Sequence, residues 1–116
     1  MRYFHTILMF LLLGACASVD SIREIEPVFR AEAKQEMVAF RQCVFDALSG
    51  NFTGTQKTQN GVAIGASKAE LAVLIEQVGG YVTAYKVPYS LLRQTDLPAL
   101  ATKKCNDDPN VGLFDF

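Results

Sequence analysis

SIREIEPVFRAEAKQEMVAFRQCVFDALSG, residues 21–50, is the stretch on which the reading of the fold turns. Its apolar residues Ile22, Ile25, Phe29, Ala33, Met37, Phe40, Val44 and Leu48 step by three or four and so fall on one stripe of a helix. Ser21 with Glu24 has the form of a capping box, and Gly50 is a natural stop. Pro27 disturbs the first turns, so the helix either bends there or starts there. The pattern predicts one long helix from about 27 to 48.

Downstream, residues 49–66 carry four glycines and a polar run, which read as a loop with a weak hairpin signal at Asn60-Gly61. Ser67-Lys68-Ala69-Glu70 is a second capping box, and Leu71, Leu74, Ile75 and Val78 form the apolar face of a helix that Gly79-Gly80 ends. Residues 81–89 fit either period: alternation suggests a strand, and the spacing of four between tyrosines suggests a helix until Pro88. Pro88 is placed to open a short helix through Arg93, and Asp96-Leu97-Pro98 another running to Lys104 with Cys105 at its end. Residues 106–116 read as loop. The expected fold class is mainly α: a small domain of three to four helices with a long Gly-rich loop, and a short β segment near 81–87 as the variant.

The chain has 116 residues, enough for one small domain. Eleven Lys and Arg balance twelve Asp and Glu for a net charge of −1, so there is no basic reservoir for phosphates and no electrostatic footprint of nucleic-acid binding.

The N-terminus reads as an address. Met1-Arg2-Tyr3 carries one positive charge, and Phe4 to Ala15 is apolar except for His5 and Thr6. As a helix this covers about 18 Å, short of the roughly 30 Å of a hydrocarbon core, which suits a secretory signal peptide rather than a permanent span. The run ends in Leu13-Gly14-Ala15-Cys16, which resembles the lipobox of bacterial lipoproteins. The resemblance covers only the first 16 or so residues. It implies diacylation of Cys16, cleavage ahead of it by signal peptidase II, and, with Ala17 rather than Asp next, the outer membrane facing the periplasm. The competing reading is an Ala15-Cys16-Ala17 site for the ordinary signal peptidase, releasing a soluble chain that begins at Ser18. Under the lipobox reading the chain divides into a signal peptide (1–15), a lipidated tether (16–21) and one domain (22–116). The tether is worth some 17 Å when extended at about 3.3 Å per residue.

With Cys16 used by lipid or lost with the leader, Cys43 and Cys105 remain, in a compartment that oxidises thiols. They are expected to pair. A bridge over some 60 residues removes about 4 kcal/mol of unfolded-state entropy, a large share of what a small core supplies.

The mature chain has no imidazole, because the single histidine, His5, lies in the leader. This removes Ser-His-Asp and Cys-His catalysis and the ordinary His-containing zinc sites; no metal and no small-molecule cofactor is expected. Glu32 and Glu36 stand at i and i+4 on the expected first helix, close enough to act as an acid pair, although Arg30, Lys34 and Arg41 on the same flank suit a solvated mixed-charge face. Thr83 and Lys86 faintly resemble a hydroxyl–lysine dyad, and Asp107-Asp108 reads as a turn before Pro109. Tyr81, Tyr85 and Tyr89 share one face under either the strand or the helix reading, a rigid surface able to dock a protein or stack on a sugar.

Two functional readings follow. The first is a non-catalytic lipoprotein, held to the membrane lipid through acylated Cys16, that binds another envelope protein as an assembly, pilot or inhibitory subunit. The second is a glycan-binding or glycan-cleaving protein of the cell wall using Glu32 and Glu36 beside the tyrosine face.

Overall fold

The computed structural model describes residues 18–67, 70–87 and 96–110. In chain order these form α1 (Val19–Ile22), β1 (Phe29–Glu32), α2 (Met37–Ser49), β2 (Thr55–Lys57), β3 (Gly61–Ser67), β4 (Glu70–Val78), β5 (Tyr81–Lys86) and α3 (Leu97–Asp107). The five strands make one antiparallel sheet in the order β1-β5-β4-β3-β2. The chain therefore lays β1 at one edge, crosses by α2 to the other edge, and returns by a meander to pair β5 with β1. The fold is not mainly helical: the expectation of three to four helices is overturned by this sheet, onto one face of which α2 and α3 pack.

The long first helix is the first correction. Only its second half is helical, as α2; the first half holds β1, and α1 lies ahead of the expected start. Ser18, not Ser21, caps α1, its Oγ accepting the Ser21 backbone N–H at 3.3 Å. Pro27 lies between α1 and β1, where Val28 N–H already donates to Ala84 O across the sheet. In β1 the alternate residues Phe29 and Ala31, with Ala33 beyond the strand end, pack toward the helices, and Arg30 and Glu32 are exposed. α2 ends at Gly50, with the N–H groups of Asn51 and Phe52 both donating to Leu48 O.

The Gly-rich stretch is not a loop. It carries β2 and most of β3, joined by a tight connection in which Thr58 N–H donates to Gly61 O at 2.9 Å; a hairpin does lie at Asn60-Gly61. Gly61 and Gly65 serve close backbone approach: a Cβ would stand 1.8 Å from Ile75 O at Gly61 and 2.2 Å from Glu70 O at Gly65.

Residues 70–78, expected as a helix, form the central strand β4. Glu70 is its first residue rather than part of a helix cap, and Lys68 and Ala69 lie outside the described residues. Gly79 and Gly80 do end the element, as a two-residue hairpin turn with φ of +62° and +82°, into β5. The ambiguity at 81–87 resolves as a strand. The short helix expected from Pro88 to Arg93 lies outside the described residues. The last helix is α3, and Cys105 sits inside it rather than at its end.

Two apolar clusters result. The larger lies between the sheet and α2 with α3: Phe40, Val44 and Leu48 from α2 meet Val62, Ile64, Val73, Ile75, Val82 and Ala84 from the strands. The Cys43–Cys105 disulfide joins α2 to α3 within it, across 62 positions of sequence. The smaller cluster lies on the opposite, outer face, where Ile22 of α1 packs on Ala63, Leu71, Leu74 and Val87.

Candidate outer-face site

The outer face is where the molecule gathers its chemistry. On β5 the odd-numbered residues Tyr81, Thr83 and Tyr85 face outward, because Val82 and Ala84 between them are spent on the main core. β4 contributes Glu76 and Val78, and β1 contributes Arg30, which stands opposite Thr83 in the ladder. With Arg23, Ile25 and Pro27 of the N-terminal segment and Asn60 of the β2–β3 turn, these side chains line an open pocket of about 510 Å³.

At its floor, Glu76 is 4% exposed, the one buried carboxylate among the described residues. Arg23 covers it with a two-pronged contact: Nε donates to Oε2 at 2.9 Å and Nη2 donates to Oε1. The fork geometry satisfies both carboxylate oxygens, which is what a buried acid needs. The guanidinium is correspondingly held above its usual range, chiefly by the hydrogen bond to Glu76 and against the opposing effect of burial. Asp20 adds a weaker contact at 3.5 Å from Arg23 Nη1. At the rim, the Arg30 guanidinium stacks on the Tyr81 ring, 4.6 Å from its centroid.

The residues singled out from sequence distribute unevenly. Tyr81 and Tyr85 both line the pocket, and Tyr89 lies outside the described residues. Glu32 and Glu36 do not share a helix face: Glu32 ends β1, opposite Tyr81, and Glu36 is the N-cap of α2. Both are exposed and neither lines the pocket, so the paired-acid geometry that helical spacing suggested is absent. Thr83 and Lys86 stand an odd number of positions apart on β5 and so project to opposite faces. Asp108 accepts the Asn110 backbone N–H at 2.9 Å in a turn, and Asp107 pairs with Lys34. Cys16 lies outside the described residues.

Arg23 and Glu76 were not singled out from sequence, and Arg30 was read only as part of a solvated flank. The available signal was Glu76 itself, a single acid ending the apolar run Leu71 to Ile75. Under a helix reading it is an ordinary solvated residue; on a central strand it must find a cation. Among the described residues no group of three or more His, Cys, Asp or Glu is placed to hold a metal ion, and no helix is long and apolar enough to cross a membrane. No family model, no curated protein and no solved structure matches the chain.

Proposed function

We propose that the chain is a lipoprotein of the bacterial cell envelope, acylated at Cys16 and held at the outer membrane facing the periplasm, that works by binding another envelope protein as an assembly, pilot or inhibitory subunit. The address rests on the charged, short apolar leader and its Leu13-Gly14-Ala15-Cys16 end. Two or more acyl chains make release from a membrane slow.

The observation that carries binding over catalysis is the Arg23–Glu76 fork. Each oxygen of the pocket's single carboxylate accepts a hydrogen bond from the Arg23 guanidinium, so the group is spent on an ion pair at the pocket floor. What remains around it is contact surface: two tyrosines, a threonine, an asparagine and an arginine stacked on an aromatic ring. Sugar binding keeps one point in its favour, the presence of Tyr81 and Tyr85 in the same pocket, whereas cleavage by Glu32 and Glu36 has none.

Labelling cells with radioactive fatty acid tests the anchor: the wild-type chain takes up label and Cys16→Ser does not, and persistent labelling of the variant overturns the assignment. Incubating purified protein with peptidoglycan tests the absence of catalysis, and release of soluble fragments that is lost in Glu76→Gln overturns it.

A further inference from the structure

We infer that the outer-face pocket receives an acidic side chain of the protein partner, held by the Arg30 guanidinium where it lies on the Tyr81 ring. The inference rests on the protein-binding reading proposed above and names the chemistry of what is bound. Among the described residues three charged groups line the pocket, and two of them are already matched. Glu76 takes both prongs of Arg23, and Arg23 Nη1 also reaches Asp20 at 3.5 Å. Arg30 is the third. It is exposed, its guanidinium carbon stands 4.6 Å from the Tyr81 ring centroid, and among the described residues it forms no ion pair and no side-chain hydrogen bond. Glu32, two positions along β1 on the same face, does not pair with it and does not line the pocket.

A guanidinium lying on a ring has its plane fixed and its edge free, and that edge of N–H donors fits a carboxylate with two parallel hydrogen bonds. A cation already held in place loses little further freedom when an anion arrives. Thr83 stands opposite Arg30 in the β1–β5 ladder and lines the same pocket, so it offers a hydroxyl beside the guanidinium. The floor does not repel an incoming anion, because Arg23 neutralises Glu76. The apolar wall decides what carries the acid. Val78 and Tyr81, 53% and 40% exposed, pair across the β4–β5 turn, and Ile25 and Pro27 line the pocket with them. A bare anion would use only Arg30. A segment of protein with Asp or Glu beside an apolar residue uses both, the acid on Arg30 and the apolar side chain against Val78.

The photoreactive residue p-benzoylphenylalanine is placed at Val78, on the pocket wall, or at Asp46, on the exposed side of α2, in the full-length chain in intact cells; both wild-type side chains are exposed. Irradiation is expected to join position 78 to another envelope protein, at a peptide carrying Asp or Glu beside an apolar residue, with severalfold less from position 46. Adding Arg30→Glu is expected to lower the yield at least about tenfold, as loss of one partner of an interfacial charge pair does. Arg30→Lys, which keeps the charge without the fork, is expected to lower it less, and changing the partner's acid to arginine is expected to restore the yield with Arg30→Glu. Each purified variant is melted beside its parent; if Arg30→Glu melts lower, Arg30→Gln replaces it. Capture at 78 that is unchanged in a folded Arg30 variant, or that no change of acid in the partner restores, overturns the acidic contact and leaves the protein-binding reading standing. Capture at 46 alone overturns the pocket as the site and likewise leaves that reading. Capture of glycan or lipid only, of a second copy of this chain only, or of nothing at either position overturns both.

Discussion

The carboxamide of Asn106 closes on the backbone of Glu32, 74 positions earlier, with Nδ2 donating to the Glu32 carbonyl at 2.8 Å while Oδ1 accepts the Lys34 N–H at 2.9 Å. One buried side chain of α3 thus takes the place of a further strand beside the end of β1, and the neighbouring Gln35 amide returns the contact to Asn106 O. Asn106→Ala leaves two part-buried backbone groups without partners, and each such loss costs about 1–3 kcal/mol. At about 4–8 °C per kcal/mol for a domain of this size, the melting temperature is expected to fall by roughly 10 °C or more. Asn106→Asp keeps an acceptor for Lys34 but sets a carboxylate against the Glu32 carbonyl, and is expected to be no better than the alanine variant. Thermal unfolding of the two variants checks this; an alanine variant melting with the wild type removes the role assigned to Asn106.

The Cys43–Cys105 bridge lies one residue away from that contact and acts through the unfolded chain instead. Closing a loop of 62 positions is worth about 4 kcal/mol in the chain-entropy account. The Cys43→Ala, Cys105→Ala double variant is expected to lose about 2–5 kcal/mol, read as a fall in the urea midpoint. Alkylation of denatured, unreduced protein is expected to leave both cysteines unmodified. Rapid modification of both, or an unchanged midpoint in the variant, contradicts the bridge.

The Asp96-Leu97-Pro98 signal marked α3 and the cysteine count marked the disulfide, while sequence periodicity found α2, which carries a one-sided apolar face. It failed at β1 for an arithmetic reason: Phe29 and Ala33 are four apart, a spacing that one helical turn and two strand repeats share. Ile22, which extended the apparent stripe, belongs to the opposite face altogether. It failed at β4 because that strand is buried on both sides, Val73 and Ile75 in the main core and Leu74 in the outer one. A continuous apolar run of this kind carries no strand period. A bulge compounds the disguise. Ile64 pairs with Val73 and Gly65 with Leu71, so Ala72 is the extra residue and Leu71 turns to the same face as Leu74, producing a helix-like spacing of three. The candidate site was half legible. Tyr81 and Tyr85 share a face under either period, whereas Glu76 acquires meaning only once its neighbours are known to be a sheet.

Glu76 and Arg23 are expected to be worth more as a pair than either alone. The Glu76 side chain is 5% exposed and that of Arg23 41%, so removing the arginine strands a buried carboxylate, while removing the acid frees a cation that reaches water. Arg23→Met is expected to cost about 1–3 kcal/mol, a figure kept low because the arginine is partly solvated. The double variant Arg23→Met, Glu76→Leu is expected to regain most of that loss. The arginine's raised pKa sets a sign: its contribution is complete below its ordinary value and is lost only as pH climbs through the raised one, so titration of the guanidinium adds no pH dependence near neutrality. A double-mutant cycle by urea unfolding measures the coupling, and a double variant as unstable as the sum of the single changes shows that the two residues do not act together.

Gly61 and Gly80 are expected to respond very differently to the same methyl group. At Gly80 a Cβ meets no atom within 4 Å, so the only penalty of Gly80→Ala is the left-handed φ of +82°. That conformation costs a non-glycine residue about 1–2 kcal/mol, and Gly80→Asn is expected to lose less, because asparagine adopts it more readily. At Gly61 the backbone carries no such φ, yet a Cβ would stand 1.8 Å from the Ile75 carbonyl, within the β3–β4 ladder. No side-chain rotation relieves a clash with backbone, so Gly61→Ala must push β3 away from β4 at the sheet's centre. The outer cluster depends on that pairing through Ala63 and Leu74, and the main core through Val62 and Ile75. Gly61→Ala is therefore expected to lose more than Gly80→Ala, by at least about 2 kcal/mol, in the range of changes that force core backbone to move. Comparing the two urea midpoints decides the matter. Equal losses would mean that β3 and β4 do not approach closely at residue 61, and would remove the stated reason for glycine in this strand.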